Sequence, residues 1–483
     1  MPWLDAAMPL RMARIAVVAP TGSLRDLLVG VADAGMMQIE ETGQEAGALG
    51  PSARLLASVR PEGPAAPTPV LSLTAPDPDQ LARAGRFDLL AGEADLEAHA
   101  TAALRRPGAA GFVGWVPAGR IPELAARLAV VGGSVVPLAH PRGVQPPTLL
   151  GGPPFRRSLM PLVQTYGTVP YADIDPSWLA WLSYVLMFGM MFGDAGEGLL
   201  LIGAGLALRA GWPVWARRYR AGWPFVTGAG VAATLGGLLY GEFFGPTGVV
   251  PTLWLAPLAK PIPLLLAAVA VGAALLAGAY ALGTINRWRE GGWPVALYAP
   301  SGVAGSSVFL GFAAAAGGWY LHHYLLLVVG AAIAVVGLAL AFAGFLTEAG
   351  GKGTGVFQAL VELFDLVIRL GSNVVSFSRL AAFGLTHAAI GLLVWEGTLA
   401  LWHRGGGMAV AAVIVFLAGT ALAFALEVLI AAIQALRLEY YELFSRVFQL
   451  PGRQFRPWHV PVSCDVVPAG ARAGGADKEV DGS

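Results

Sequence analysis

The chain has 483 residues, of which 56% are hydrophobic and only 13% are charged, and its mean hydropathy is +0.63. This composition excludes an ordinary soluble enzyme and indicates an integral membrane protein. The formal net charge is zero and there is a single cysteine, so no nucleic-acid partner, internal disulfide framework or cysteine metal cluster is expected.

Residues 1–175 have the charge density of a soluble domain and are predicted to form a small cytoplasmic α/β domain. RIAVVAP, SLRDLLVGVADAG and MQIEE read as strand, helix and strand, and GFVGWVP, RIPELAARLAVVGG and SVVPLA repeat that order. We expect two small lobes joined by a shortened connector with a helix at about 78–105. The first 20 residues hold too short an apolar run for a secretory signal peptide, so the N-terminus is expected to stay in the cytoplasm.

Residues 176–450 are dominated by long apolar runs and are predicted to form a membrane domain. The runs occupy about 178–209, 222–245, 262–288, 295–318, 323–346, 355–402 and 407–446. Arginine-rich loops follow the first and third runs, and the positive-inside rule makes both loops cytoplasmic. The first run must then enter the membrane and return, turning at GDAGEG, which gives eight passes. Whether it crosses once or twice is left open by the sequence.

The predicted fold is a mainly α-helical polytopic membrane protein with about eight transmembrane helices, preceded by the small α/β domain. The runs at 355–402 and 407–446 are about twice as long as a perpendicular span requires, so the last two helices are expected to be long and tilted. Residues 451–483 are expected to form a cytoplasmic tail that is partly disordered, because 466–483 shows no apolar periodicity.

A stripe of polar residues runs along the helix predicted at 355–402. At about 100° per residue, six polar side chains fall within one arc of roughly 100°, provided that the helix continues through Gly371. They are Asp365, Ser372, Ser376, Arg379, Thr386 and His387. If the helix runs outward from the cytoplasm, Asp365 lies toward the cytoplasm, Arg379 near the middle of the membrane and His387 toward the far side.

The last helix carries a second polar stripe. Measured from Glu427, which is expected near the middle of the membrane, the same arithmetic places further polar side chains on a neighbouring arc. They are Thr420, Gln434, Arg437 and Tyr441. Both stripes are therefore expected to face something other than lipid.

A charge inside a membrane costs at least about 3 kcal/mol on insertion scales, so Arg379 requires a partner, water or a translocated ion. In one interpretation it pairs with Glu427 and fixes the packing of the two helices. In the other, its permanent positive charge acts on a titrating carboxylate beside it. No such carboxylate is evident on a short helical hairpin of this chain, so it could come from another chain.

Three further acidic residues lie near predicted outer helix ends. Glu396 could widen an outer channel or be a solvated acid beside a loop. Asp194 in GDAGEG and Glu242 in YGEFFG are interpreted as hydrogen-bond partners of helix ends. No nucleotide, cofactor or metal site is expected on this chain, and hence no catalytic site.

Five blocks in order along the chain resemble subunit a of the V-type rotary ATPases and subunit I of the A-type enzymes. They are FGMMFGDAGEGLLL, YGEFFG, NRWREGG, SNVVSFSRLAAFGLTHAAIG and LEVLIAAIQALRLEYYELFSRVF. The resemblance covers nearly all of residues 150–450 and extends to the soluble lobes. It implies a non-catalytic membrane stator whose last two helices curve against a rotating proteolipid ring, each ring subunit carrying one carboxylate at mid-membrane.

The resemblance implies roles for individual residues. Arg379 matches the family's essential arginine, and His387 its histidine eight residues on. Glu427 and Arg437 match the family's acid and base on the last helix, and Asp365 an acidic position before the arginine. Two offset half-channels are implied, with Asp365 on the cytoplasmic route, His387 and Glu427 on the outer route, and Arg379 between them. Five more residues are expected to line them: Ser372, Ser376, Thr386, Gln434 and Tyr441.

The implied partners are proteolipid ring subunits (c/K), a ring-associated central-stalk subunit (d/C) and peripheral-stalk subunits (E/G type), in a bacterial or archaeal cell membrane. Family members usually carry a long coiled-coil insertion between the lobes, whereas residues 45–110 are short, rich in proline and glycine, and without a sustained heptad. The chain could hold fewer stalks, use a separate adaptor, or belong to a complex that does not couple to ATP.

A self-contained ion channel or secondary transporter is the alternative function. Transporters commonly contain internal repeats and paired broken helices, and the two membrane halves show no repeat. A purely structural scaffold would leave the six polar residues on one arc unexplained. The sequence does not decide between proton and sodium, or between pumping and synthesis.

Overall fold

The computed structural model describes residues 8–40, 49–58, 67–140, 144–151, 154–350, 353–448 and 452–463. The chain divides into two compact units. The N-terminal unit comprises Leu10–Leu149 and Gln454–Ser483, and the membrane unit comprises Met1–Pro9 and Leu150–Arg453.

The N-terminal unit is built on one antiparallel sheet. Its described strands are β1 (Met12–Pro20), β2 (Gln38–Ile39), β3 (Leu71–Ser72), β4 (Leu104–Arg106), β5 (Ala109–Pro117), β6 (Ser134–Pro137) and β7 (Val462–Ser463). The sheet has the order β2-β5-β1-β6, with β4 also paired to β5. This is the strand order of a ferredoxin-like β-α-β-β-α-β fold. The expectation of two separate lobes is therefore wrong: the long strands β1 and β5 pair with each other, which leaves neither with an open edge.

Helices of the N-terminal unit cover this sheet. They are α1 (Leu24–Ala34), α2 (Pro51–Ser58), α3 (Pro78–Arg83), α4 (Phe87–Ala102) and α5 (Ile121–Ala129). The buried face of α1 packs Leu27 and Leu28 into the same core as Ile15 and Val17 of β1. The helix expected at 78–105 is in fact two helices, because Gly85 takes a left-handed conformation, with φ at 67°, after α3.

The segment Gln454–Ser463 belongs to the N-terminal unit. Its strand β7 runs parallel to β3, and Trp458 Nε1 donates a hydrogen bond to Asp95 at 2.6 Å. Val460 is buried in the core of the unit. This corrects the expectation of a separate tail over 451–483, because apolar side chains before residue 464 have a core to enter. The disorder expected at 466–483 lies outside the described residues.

The membrane unit is mainly helical over its described residues. Its helices are α6 (Pro154–Tyr166), α7 (Ser177–Met191), α8 (Ala195–Ala210), α9 (Trp223–Tyr240), α10 (Pro261–Tyr298), α11 (Val303–Tyr320), α12 (Tyr324–Glu348), α13 (Gly353–Ser376), α14 (Ser378–Trp402), α15 (Gly407–Leu438) and α16 (Ser445–Val447). Five stretches of the described chain are long and apolar enough to cross a membrane: Val214–Tyr240, Pro261–Tyr298, Tyr324–Glu348, Thr354–Trp402 and Gly407–Val447. The chain is a multi-pass membrane protein, and the count of eight passes stays a prediction.

The break expected at GDAGEG separates α7 from α8, which have 15 and 16 residues. Asp194 caps α8, because its Oδ1 accepts a hydrogen bond from the Glu197 backbone nitrogen at 2.9 Å. Glycines bring α8 close to α9: a Cβ placed on Gly230 would lie 2.7 Å from the backbone nitrogen of Ile202. Small residues of this kind allow helix backbones to approach closely in membranes.

The last two long stretches each contain an irregularity. Helix α13 continues through Gly371, as the polar arc requires, but a turn at Phe377 separates it from α14. A π-helical segment, Glu439–Phe444, separates α15 from α16. The stretches Thr354–Trp402 and Gly407–Val447 have 49 and 41 residues, so their length is confirmed, while their tilt stays a prediction.

Candidate functional site

Arg379 lies at the start of α14, immediately after the turn at Phe377. Phe377 is fully buried and packs against α10 at Gly272, where a Cβ would lie 2.5 Å from the Phe377 Cβ. This close approach anchors the turn. The Arg379 Nε donates to the Ser376 carbonyl oxygen at 2.9 Å, so the guanidinium is held beside the helix break.

The carboxylate partner of Arg379 is Glu442. Arg379 Nη2 donates to Glu442 Oε1 at 2.8 Å, and the two side chains are 22% and 8% exposed. The pairing of Arg379 with Glu427 considered from the sequence is therefore wrong. The π-helical segment carries Glu442, and an extra residue per turn moves its side chains off the regular 100° spacing used in the sequence arithmetic.

The same π-helical segment is tied to α7 by a second acid. Glu439 is 1% exposed, and its Oε2 lies 2.6 Å from the Ser183 hydroxyl. Ser183 Oγ also lies 2.8 Å from the carbonyl oxygen of Leu179. This contact fixes the end of α15 against α7 and thereby fixes where Glu442 points.

A second polar group surrounds His387, which lies beyond Arg379 on α14. His387 is 7% exposed. Its Nδ1 is in hydrogen-bond contact with Glu427 of α15, and its Nε2 lies 3.7 Å from Glu242 Oε2. His387 and Glu427, which were expected to act on the same route, are therefore in direct contact. We call His387, Glu427, Glu242, Glu197 and Asp194 the His387 cluster.

The loop after α9 brings Glu242 to His387. Asp194 holds this loop, because its carboxylate accepts hydrogen bonds from the backbone nitrogens of Phe244 at 2.9 Å and Gly245 at 2.8 Å. Gly245 has φ at 89° and packs directly on α14, where a Cβ would lie 3.0 Å from the Gly391 carbonyl oxygen. Asp194 therefore has the structural role expected from the sequence. Glu242, for which the same role was expected, faces the histidine.

The His387 cluster is rich in buried acid. Asp194, Glu197 and Glu242 are at most 4% exposed. Glu197, His387 and Glu427 each place a donor atom within 4.8 Å of the others, as do Asp194, Glu242 and His387. Four of its buried polar atoms have no hydrogen-bond partner among the described residues: Glu197 Oε2, Glu242 Oε2, Glu427 Oε1 and His387 Nε2. Four carboxyl groups around one imidazole cannot all be charged without a cation, so the cluster is suited to holding protons or a metal ion.

The remaining predicted residues lie outside these two groups. Asp365 pairs with Arg369, one turn away on α13, and both side chains are about half exposed or more. Ser376 and Gln434 are half-buried, and Gln434 Oε1 has no partner in the described chain. Five are exposed: Ser372, Thr386, Glu396, Arg437 and Tyr441. The turn at Phe377 thus interrupts the predicted stripe, and the residues beyond it range from the exposed Thr386 to the buried His387.

Asp173 is a buried acid outside the membrane-spanning stretches. Asp173, between α6 and α7, is completely buried, and neither carboxylate oxygen has a hydrogen-bond partner among the described residues. Burial and the neighbouring Glu290 carboxylate raise the pKa of Asp173 to about 7, while Arg287 opposes that shift. Arg287 itself pairs with Glu290 at 2.5 Å.

Sequence reasoning missed Glu442, Glu439 and Glu197. Glu442 falls about 60° from Glu427 in the helical arithmetic and was detectable, but it lay at the end of the apolar run. Glu197 shares the GDAGEG block with Asp194 and carried no periodic signal of its own. Its proximity to His387 comes from packing between segments nearly 200 residues apart.

The chain matches several known proteins. Residues 110–218 match the family model described as the V-type ATPase 116kDa subunit family. An A-type ATP synthase subunit I of Aeropyrum pernix is 26% identical over 399 residues, covering 72% of this chain and 56% of that protein. The A-type ATP synthase subunit I of Pyrococcus horikoshii is also 26% identical, over 72% of this chain and 53% of its own length.

Another relative matches a shorter part of the chain at higher sequence identity. A V-type ATP synthase subunit I 2 of Treponema pallidum is 34% identical over 149 residues, which is 28% of this chain and 32% of that protein. The chain spans about half the length of the archaeal relatives that it matches. The chain is therefore similar to the V-type ATPase 116kDa subunit family over residues 110–218, and to A-type ATP synthase subunit I proteins over 72% of its length.

Proposed function

We propose that this chain is the membrane stator subunit of a rotary ATPase, in which Arg379 separates two ion half-channels formed against a rotating proteolipid ring. The observation that carries this proposal is the position of Arg379. Its side chain is 22% exposed within an apolar helical region, and its guanidinium pairs with the buried Glu442 carboxylate. Lipid cannot solvate that exposed charge, so a polar partner on another chain is required.

The last helix offers a surface for that partner. Only four of the 32 residues of α15 are buried: Ala412, Ala431, Ala435 and Leu438. Leu422 and Leu429 on it are 63% and 58% exposed. An apolar surface with an arginine beside it suits a ring of apolar helices that each carry one carboxylate.

The charge on Arg379 performs the central step of the proposed mechanism. Arginine stays protonated in a low dielectric, so it is a permanent positive charge. When a ring carboxylate arrives beside it, the charge favours the ionised carboxylate and expels its proton or sodium ion. Glu442 holds the guanidinium in place, and Arg379 prevents an ion from passing directly between the two routes.

The two routes use different residues. On the outer route, His387, Glu427 and Glu242 exchange the ion between the far side and the ring. On the cytoplasmic route, Asp365 and the half-buried or exposed residues near it perform the same exchange. Arg437 is the basic ion-translocation residue of the last helix, and the channel linings are completed by Ser372, Ser376, Thr386, Gln434 and Tyr441.

The names of the relatives support membership of such a complex, since several are A-type ATP synthase subunit I. The proposed partners are ring subunits (c/K), the ring-associated central-stalk subunit (d/C) and peripheral-stalk subunits (E/G type). This chain would be a non-catalytic subunit in a bacterial or archaeal cell membrane, with both termini cytoplasmic.

ATP-driven ion uptake into vesicles that contain the assembled complex tests the proposal. Arg379→Ala is expected to reduce uptake by at least 100-fold while the ring still co-purifies with this chain. Arg404→Ala, which removes an exposed arginine in the loop after α14, is the matched control and should transport like wild type. Uptake by Arg379→Ala at the wild-type rate would refute the barrier. Uptake by the purified chain alone, without a ring, would favour a self-contained channel or transporter.

A further inference from the structure

The His387 cluster contains an unused pair of ligand atoms. His387 Nε2 and Glu242 Oε2 have no hydrogen-bond partner among the described residues, although their side chains are only 8% and 5% exposed. They lie 3.7 Å apart. That distance is too long for a hydrogen bond, which spans about 2.7–3.2 Å. Two ligand atoms on a tetrahedral zinc ion, each about 2.0–2.1 Å from the metal, lie about 3.4 Å apart.

A third ligand lies beside this pair. Asp194, Glu242 and His387 each place a donor atom within 4.8 Å of the others. Asp194 Oδ1 accepts two backbone hydrogen bonds and Oδ2 accepts one, from Gly245. A carboxylate offers about four acceptor positions, so Oδ2 retains one for a metal ion.

The other imidazole nitrogen is already oriented. His387 Nδ1 contacts the carboxylate of Glu427. A histidine that ligates a metal through one nitrogen commonly donates its other N–H to a carboxylate, which fixes the tautomer and raises the basicity of the ligand. Glu427 would therefore act as an orienting residue.

We propose that His387, Glu242 and Asp194 form a binding site for Zn²⁺ or a similar divalent transition metal. An imidazole with two carboxylates suits zinc, whereas Mg²⁺ prefers oxygen ligands with several waters. A bound ion occupies the nitrogen and the oxygens that would otherwise exchange protons, so Zn²⁺ inhibits ion uptake from the outer route. The inhibition rests on the proposed function, but the binding does not.

Calorimetric titration of the purified full-length chain in detergent, with Zn²⁺ alone after removal of bound metal, tests the site. We expect one high-affinity zinc ion per chain and no comparable binding of Mg²⁺. His387→Gln and Glu242→Gln are each expected to weaken zinc binding by 10- to 100-fold. His403→Ala, which removes an exposed histidine after α14, is the matched control and should leave binding unchanged.

Further outcomes test the zinc site and the inhibition separately. If His387→Gln does not fold, Glu242→Gln alone tests the site, and unchanged zinc affinity in that variant overturns it. The assembled complex should lose ATP-driven uptake in Zn²⁺ and regain it with a chelator. Zinc binding that leaves uptake unchanged keeps the site but overturns the inhibition. If Arg379→Ala abolishes uptake but zinc does not reduce uptake by the wild-type complex, the proposed function stands and only this regulation is refuted.

Discussion

Arg379 and His387 lie on the same helix, α14, about 12 Å apart along its axis, but the groups around them are built in opposite ways. The Arg379–Glu442 pair is partly exposed and lies where two helices lose regular geometry, at Phe377 and in the π-helical segment. The His387 cluster is enclosed, and its members come from α8, α14, α15 and the loop after α9.

In the proposed mechanism, this difference follows from what each group requires. A fixed charge that acts on a passing carboxylate must be reachable, and irregular backbone places it at the surface with one partner to hold it. Groups that exchange ions must change their own charge, and enclosure among other acids makes proton binding favourable. The first group therefore depends on one ion pair, and the second on close packing around several acids.

The largest predicted effect in this comparison concerns the partner of Arg379. Glu442→Gln removes the only negative charge that the described chain pairs with Arg379, so a charge-assisted hydrogen bond becomes a weaker neutral one and the guanidinium is held less firmly. We expect ATP-driven uptake by the assembled complex to fall about tenfold, which corresponds to about 1.4 kcal/mol. Initial uptake rates in vesicles measure it.

Glu439→Gln is the matched control for that variant. Both acids lie in the same π-helical segment and both are buried, but Glu439 contacts the Ser183 hydroxyl. A glutamine amide can keep that hydrogen bond, so uptake should change little. Equal losses of uptake in the two variants would show that the π-helical segment does not tolerate a neutral side chain at either position. The pair with Arg379 would then have no special role.

The next effect concerns the packing that anchors the helix break. Gly272→Ala places a Cβ 2.5 Å from the Phe377 Cβ, so the turn before Arg379 must move. Overpacking of this kind costs about 1–3 kcal/mol. Scanning calorimetry of the purified chain should show a lower unfolding temperature.

Gly278→Ala on the same helix α10 provides the comparison. Its Cβ would meet only a Leu179 methyl group at 4.0 Å, and alanine favours a helix over glycine. This variant should be as stable as wild type or slightly more stable. Equal unfolding temperatures for the two variants would mean that the Phe377 turn adapts freely and is not anchored by α10.

Much of the fold was predictable because it follows from periodicity and length. The strand and helix patterns of the N-terminal unit, the break at GDAGEG and the two long final stretches all come from local sequence. The pairing of β1 with β5 was not predictable in this way, since it joins strands about 100 residues apart. The entry of Trp458 and Val460 into that unit depends on the same kind of long-range packing.

The candidate site was likewise predictable only where local sequence patterns determine it. Helical arithmetic placed His387 and Glu427 on two polar stripes, the family resemblance implied a shared route for them, and the structure has them in contact. The ion pair with Glu427, one of the two interpretations of Arg379, is wrong, and its observed partner Glu442 lies where the chain is π-helical and the regular spacing does not apply. Glu242 reaches His387 because Asp194 holds its loop and Gly245 packs on Gly391, and no local pattern records these long-range contacts.

Asp173 provides a further test of how burial among acids affects proton binding, and its expected effect is smaller than those above. Burial and the neighbouring Glu290 raise the pKa of Asp173 from its usual 3.8 to about 7. The folded state therefore binds this proton more tightly than the unfolded state, so stability is highest at low pH and is lost as the pH rises from about 4 through 7. Each unit of pKa difference corresponds to about 1.4 kcal/mol.

Asp173→Asn removes this proton-linked loss of stability. The unfolding temperature of the wild-type chain should fall between pH 5.5 and pH 8, whereas that of the variant should vary less and be a few degrees higher at pH 8. Scanning calorimetry of both proteins across that range measures the difference. Parallel curves would show that Asp173 is ionised without penalty, and that burial beside another acid in this unit does not by itself hold a proton near neutral pH. The enclosure argument for the His387 cluster would then lose its closest test outside the membrane-spanning stretches.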